Sequence, residues 1–254
     1  MTQLNPASGN DTGASRGLWS SRFAFILAAT GSAVGLGNIW KFPYVTGENG
    51  GGAFVLVYLL CIAVIGIPIM MAEIFVGRSG RHNPIGSMRL VAERNLSSPA
   101  WRISAVIGMI AAFAILSFYS VIGGWAASYI GHAAMGDFTN GTADSIGELF
   151  SSLLASPKQL LAWHTLFMAL VILVVSRGLK GGLERAVTIL MPALFVLLLI
   201  AVGYATTTGH FGEAASFLFT PNFGALTING VLIALGHAFF TLSLGMAIMM
   251  AYGS

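Results

Sequence analysis

Charge is what this sequence is short of. Asp, Glu, Lys and Arg make up 8% of its 254 residues, against roughly 25% in a soluble domain. So little polar surface cannot cover a water-facing globule, which excludes a soluble enzyme. No nucleic-acid partner is expected either, because the twelve Lys and Arg residues are scattered and the net charge is only +3. Cysteine is nearly absent. The single one, Cys61, sits in an apolar run with no second cysteine to pair with, so a disulfide-stapled secreted fold is excluded. Residues 1–17 lack the apolar core of a signal peptide. They are polar and rich in Ser, Asn and Gly, and are read as a flexible cytosolic tail.

What the chain has in quantity is apolar side chains, at 56% of residues, with a mean hydropathy of +0.82. A membrane-crossing helix needs about 20 mostly apolar residues. Six segments meet or approach this: about 23–44, 53–77, 103–130, 160–176, 186–208 and 223–254. Together with the tail they divide the chain into residues 1–17 and a transmembrane domain, 18–254. The second span contains one charge, Glu73, and the fifth contains Pro192. Orientation follows from the Lys/Arg bias. Arg16, Arg22, Arg78, Arg81, Arg89, Arg94, Arg102, Arg177, Lys180 and Arg185 fall on one side, and Lys41 and Lys158 on the other. Ten against two places the N-terminus in the cytoplasm, in a bacterial inner (plasma) membrane. The sixth span runs to Ser254 with no basic flank or tail, so the chain is expected to be a truncated form.

Two spans are poor helix material. The first reads Thr30-Gly31-Ser32-Ala33-Val34-Gly35-Leu36-Gly37-Asn38, and the sixth carries Thr241-Leu242-Ser243-Leu244-Gly245 after Gly236. Each glycine costs about 1 kcal/mol relative to alanine in a helix. Gly31, Gly35 and Gly37 do not share one face, so close helix packing does not account for them. Gly35-x-Gly37 is not a dinucleotide loop, since it lacks a preceding strand and a third glycine. Backbone freed at such breaks is tolerated in a membrane only where it is buried in protein or lines a cavity. Freed carbonyls suit a cation, and freed N–H groups suit a carboxylate. Paired interruptions in two distant spans point to the binding site of a secondary transporter.

These residues resemble the bacterial, LeuT-like branch of the neurotransmitter:sodium symporter family. The likeness begins at Arg16-Gly17-Leu18-Trp19. It continues through GSAVGLGNIWKFP at 31–43, Glu48-Asn49-Gly50-Gly51-Gly52-Ala53-Phe54, Gly66-Ile67-Pro68 and Glu73. It resumes at Gly181-Gly182-Leu183-Glu184-Arg185 and ends with AFFTLSLG at 238–245. The resemblance implies an all-α, polytopic membrane protein of LeuT-like fold, holding the first inverted repeat (spans 1–5) and span 6, with spans 1 and 6 broken at mid-membrane. The family has eleven or twelve spans, so this chain matches its N-terminal half.

The resemblance also implies roles. The first sodium ion would be held by the Ala33 carbonyl, Asn38 and Thr241, and the second by the Gly31 and Val34 carbonyls with ligands from a later span. The substrate carboxylate would meet the N–H groups of Leu36 and Gly37 and the Tyr119 hydroxyl. Its amino group would meet carbonyls of Ala33, Phe240, Thr241 and Ser243, while Ile115, Phe240 and Met246 line the side-chain pocket. Arg16 and Trp19 match a cytoplasmic gate and Lys41 an extracellular one. Glu73 is assigned either to support of the span-six break or to a proton relay. Gly35 stands where amine-transporting members carry Asp, so the substrate is expected to bring its own carboxylate.

Two departures are visible: His237 replaces a Gln near the outer gate, and Ala247 replaces a Gly at the span-six break. Tyr58 and Thr241 partly match a chloride site whose other ligands belong to span seven, which leaves chloride undecided. Gly182 and Pro192 match a pattern in which the start of span five unwinds; a plain proline kink is the other reading. The expected function is sodium-coupled symport of a neutral or hydrophobic amino acid, with no enzymatic step. A non-transporting membrane sensor and a dead fragment are the alternatives. Sequence leaves the oligomeric state open.

Overall fold

The computed structural model describes residues 19–139 and 141–254. The expected tail, 1–17, and the gate candidate Arg16 lie outside the described residues. Among those described, all regular structure is helical.

The first apolar segment forms two helices, α1 (Arg22–Ala33) and α2 (Gly37–Glu48), bent by 49° at the residues between them. Ser21 caps α1, its hydroxyl accepting from Ala24 N at 3.0 Å. This satisfies one of the N–H groups that every helix start leaves over. The second half opens on a π-helical turn, Gly37–Lys41. Next come α3 (Gly52–Gly80), α4 (Pro84–Arg94) and α5 (Pro99–Met135). The chain continues with α6 (Ala143–Ala155), α7 (Pro157–Val175) and α8 (Leu179–Ala205). The last helices are α9 (Phe211–Phe219), α10 (Ile228–Thr241) and α11 (Ile248–Gly253).

Four helices, α3, α5, α7 and α8, are long and apolar enough to cross a membrane, and the bent α1–α2 pair makes a fifth. The sixth apolar segment is less regular than its composition suggests. It becomes α10, then an open stretch at 242–247, then the short α11. The outer faces of the long helices are apolar and bare. Leu190, Leu197 and Ile200 on α8 are each over 60% exposed. A surface of this kind is stable against lipid and not against water, so the chain is a multi-pass membrane protein.

Lipid tails are as apolar as the helix faces, so no hydrophobic force drives helices together inside a bilayer and packing relies on small residues that bring backbones close. A Cβ at Gly124 on α5 would lie 2.9 Å from the His164 amide nitrogen on α7. At Gly253 on α11 it would lie 2.5 Å from the Ile74 carbonyl oxygen on α3. A separate apolar cluster, Val45, Phe54, Tyr58, Ala234 and Ala238, joins α2, α3 and α10. It fixes the second half of the first segment against the first half of the sixth. Span five begins with a π-helical turn, Leu179–Glu184, that contains Gly182, whereas Pro192 lies within the helix that follows.

Substitution at these glycines separates packing from propensity. Gly124→Leu is expected to force α5 from α7 and cost about 1–3 kcal/mol. Gly203 has nothing within 4 Å of its would-be Cβ, so Gly203→Ala is expected to stabilise by about 0.5–1 kcal/mol. Thermal unfolding of the detergent-solubilised variants measures both; equal effects at the two positions would contradict this account of the packing.

Candidate functional site

The two irregular segments face one another. The α1–α2 break and the α10–α11 break border a cavity of about 230 Å³ whose third wall is α5. Each break has a local cause. α1 ends where Val34 turns extended (φ −93°, ψ 102°), its amide closing the last turn on the Thr30 carbonyl. The carbonyls of that final turn are left without helical partners. At the other break Ser243, Gly245 and Ala247 all have positive φ, at 54°, 74° and 61°. Glycine adopts this conformation freely, but for Ser243 and Ala247 it costs about 1–2 kcal/mol each. The Ala that replaces a Gly here therefore sits in the strained backbone of the break itself.

Side chains answer the polar groups that the breaks expose. Asn38 Nδ2 donates to the Ala33 carbonyl at 2.6 Å, and Thr241 Oγ1 donates to Asn38 Oδ1 at 2.9 Å. Tyr58 OH donates to Thr241 Oγ1 at 3.1 Å. The three oxygens named for a first sodium ion thus lie on one hydrogen-bonded chain that links α1, α2 and α10. Ser32 and Ser243 share a second link: their hydroxyls are 3.1 Å apart, and Ser243 Oγ lies 3.2 Å from the Ser32 carbonyl. The Gly31 and Val34 carbonyls belong to the same unwound end of α1, with Gly31 on the cavity wall. A hard cation prefers such an oxygen-only donor set.

Glu73 is buried, and its Oε1 accepts from Gly245 N–H at 2.7 Å, from one span to the other. Its Oε2 is buried without a partner among the described residues. Of the two assignments the sequence left open, this contact is what support of the span-six break requires.

Tyr119 and Phe240, with ring centroids 5.9 Å apart, form a septum. Both line the central cavity and also a second one of about 180 Å³, which Leu36, Trp40 and Lys41 border. A Cβ on Gly37 would stand 2.5 Å from Phe240 Cε1 and 3.3 Å from the Tyr119 hydroxyl. Only glycine lets the start of α2 come that close to the septum. Ile115 and Met246 line the central cavity, as do Ala33, Thr241 and Ser243. Lys41 stands beyond the septum with its ammonium 4.8 Å from the Tyr44 ring centre. His237 packs among Phe42, Tyr58 and Phe240, its Nε2 buried without a partner among the described residues.

Trp19 is held at the far end of α1. Its indole N–H donates to the Tyr252 carbonyl at 3.1 Å, and the two rings meet edge to face. Sequence reasoning missed the neighbour of this contact. Glu184, buried in the π turn of α8, accepts from both the amide and the hydroxyl of Ser20. Ala112, Ile248 and Ser32 on the cavity wall were also missed. For Ala112 a signal existed, because it lies three residues before Ile115 on the same helical face.

Two broken helices here place oxygens and small residues around one cavity, the kind of pairing from which the sites of secondary transporters are built. The family model for the sodium:neurotransmitter symporter family matches residues 16–143, and the chain belongs to that family. A Bacillus subtilis (strain 168) protein named uncharacterized sodium-dependent transporter YhdH is 44% identical over 236 residues, 93% of this chain and 51% of its own. The sodium-dependent neutral amino acid transporter B(0)AT2 of Pongo abelii is 38% identical over 121 residues, covering 48% of this chain and 16% of its own. The crystal structure of MhsT in complex with L-phenylalanine matches with a TM-score of 0.84 and 46% identity, over 94% of this chain and 53% of that one. The chain therefore spans about half the length of the Bacillus relative and of MhsT.

The Glu73 contact is open to direct test. Glu73→Leu leaves the Gly245 N–H unpaired and is expected to cost about 1–3 kcal/mol. Glu73→Gln keeps an acceptor and is expected to retain most of that stability. Thermal melting in the same micelle ranks the three proteins; a Leu variant as stable as the Gln variant would remove the contact from the account.

Proposed function

We propose that the protein serves sodium-coupled uptake of a neutral, apolar amino acid across the bacterial inner membrane by alternating access, with its N-terminus in the cytoplasm. The observation that carries this reading is the hydrogen-bonded chain Tyr58–Thr241–Asn38–Ala33 beside the central cavity. It gathers a carbonyl, an amide oxygen and a hydroxyl from two broken helices. A cation bound there neutralises their converging dipoles and pulls the two breaks into one arrangement.

The substrate carboxylate then completes the shell of the first ion and accepts from the N–H groups at Leu36 and Gly37 and from the Tyr119 hydroxyl. A helix start favours such an anion through its free N–H groups and its dipole. The ammonium group faces carbonyls of Ala33, Phe240, Thr241 and Ser243. Gly35 has nothing within 4 Å of its would-be Cβ. Having no side chain, it supplies no carboxylate of its own, which supports a substrate that carries one. The apolar lining by Ile115, Phe240 and Met246 supports a hydrophobic side chain, as do the relative named for neutral amino acids and the phenylalanine bound to MhsT. A second ion takes the Gly31 and Val34 carbonyls. Trp19 and Lys41 act as parts of the inner and outer gates. No bond is made or broken in the substrate.

Uptake of labelled amino acids into proteoliposomes, with sodium outside against potassium or choline, tests the coupling. Accumulation is expected with sodium alone; equal uptake in all three would end the proposal. Asn38→Ala and Thr241→Ala each remove an oxygen from the cation. Each is expected to weaken sodium binding by about 1–3 kcal/mol, in line with the loss of one charge-assisted contact in a buried site. The sodium dependence of substrate binding measures it, and unchanged dependence in both variants would place the ion elsewhere.

A further inference from the structure

The link between α7 and α8 builds another cavity, away from both broken helices. Gly178 in that link has φ 76° and ψ −169°, a conformation that only glycine adopts freely. It turns the chain back at once, and Gly182 in the π turn then seats on the end of α7. A Cβ at Gly182 would overlap the Val174 carbonyl oxygen and lie 3.2 Å from Arg177 Cβ. Beyond this junction the two helices turn to different partners, α7 to α5 and α8 to α1. At the junction lies a cavity of about 170 Å³ with both Arg177 and Arg185 on its wall. Val174 of α7 and Ala186 and Ile189 of α8 form its apolar side.

Among the described residues neither arginine has a carboxylate within ion-pair distance. Glu184, the acid nearest in sequence, is taken by Ser20. The depth of the two arginines follows from helix length. α7 has 19 residues and rises about 28 Å, close to the roughly 30 Å of a hydrocarbon core. Arg177, two positions past its end, stands at headgroup level. α8 has 27 residues and at about 40 Å exceeds the core by roughly the length of its π turn, which brings Arg185 to the same level. From Arg185 one face of α8 continues at helical spacing through Ile189, Ala193 and Val196, all apolar and exposed. Two cations at the headgroup layer thus open directly onto a bare apolar track.

We propose that this cavity is a site for one anionic phospholipid, its phosphate held between Arg177 and Arg185 and an acyl chain lying along Ile189 and Val196. The site stands whatever solute the central cavity takes. A phosphodiester carries one negative charge, and the planar guanidinium fork meets its oxygens in pairs. Basic pockets between membrane helices favour anionic headgroups for this reason. A soluble phosphate offers the same oxygens but nothing to cover the apolar track. General attraction of basic flanks to an anionic surface would need no cavity, and would not single out these two arginines. A lipid seated here touches α7 and α8 at once and clamps the link between them.

The test is binding of tritiated phosphatidylglycerol to the purified protein in uncharged detergent micelles at fixed ionic strength. Unlabelled phosphatidylglycerol, phosphatidylcholine and inorganic phosphate serve as competitors. The wild type is compared with the double variants Arg177→Gln/Arg185→Gln and Arg177→Lys/Arg185→Lys. Lys158→Gln, at the opposite end of α7, is the control for charge elsewhere. Phosphatidylcholine is expected to compete ~10-fold less well than phosphatidylglycerol, and the Gln pair to bind about 30-fold more weakly, at about 5-fold per cationic residue. The Lys pair keeps the charge and is expected to stay within ~5-fold of the wild type, and Lys158→Gln within ~2-fold. Inorganic phosphate is expected to leave the lipid bound. Equal competition by the two lipids overturns the proposal, as does a Gln pair that binds like the wild type. A Lys158→Gln variant as weak as the Gln pair would reduce the effect to overall charge and overturn it too. A Lys pair as weak as the Gln pair would show a loss that does not follow charge, with the same result. Displacement by inorganic phosphate would make this a site for a soluble anion and end the lipid assignment.

Discussion

The centre of this protein is governed by one requirement: a backbone N–H or C=O that leaves a helix inside a bilayer must find a partner in the protein. Water is not there to supply one, and each unmet group costs several kcal/mol. Two helices stop and restart in this chain, and the groups they free are met one by one. Glu73 takes the Gly245 amide, Asn38 takes the Ala33 carbonyl, and Ser243 sits against the Ser32 carbonyl. Those contacts bring α1, α2, α3 and the open stretch 242–247 to one place. The cavity exists because the breaks do, and its oxygen-rich wall is what remains after the structural demands are satisfied.

Few large side chains are buried among the described residues. Phe54 and Met249 are the largest that are almost fully enclosed among the described residues. Elsewhere the helices meet through glycine, alanine and serine. Close backbone approach fixes distances firmly while leaving directions adjustable. The cytoplasm-facing end proposed for α1 has a different hold. Trp19 is attached to Tyr252 on α11, and Ser20 to Glu184 on α8. Two adjacent residues thus tie this end of α1 to α11 and to α8.

Composition and run length made the helical, membrane-spanning character legible, and three glycines off a common face marked the first break. The resemblance named most of the residues that now line the cavity. What sequence left out is mainly long-range pairing. Ser20 and Glu184 are 164 positions apart and Ser32 and Ser243 are 211 apart, and no local pattern relates them. Glu184 stood inside a quoted motif, yet nothing along the chain says that its carboxylate turns towards Ser20. The sixth apolar segment was expected to break, but not to open over six residues, 242–247. Apolar runs also understate helix length. Residues 99–102 and 157–159, each stretch opening on a proline, extend α5 and α7 beyond the stretches that hydropathy marks, because a first-turn proline starts a helix as readily as an apolar run does.

The bond between Glu73 and Gly245 also has a history in time. The two residues are 172 positions apart. At synthesis rates of roughly 5–20 residues per second, Gly245 is made about 9–34 s after Glu73. Throughout that interval α3 is ready to enter the bilayer carrying a carboxyl group whose eventual partner has not yet been assembled. A charged group costs about 2.5–3.5 kcal/mol at the centre of a helix on insertion scales, and less at the position of Glu73 in the last third of α3. The most apolar 18 residues of α3, with a mean hydropathy of 2.8, carry the helix in regardless. The acid that later secures the broken helix is thus, for the first seconds of the protein's existence, the reason its second span must be so greasy.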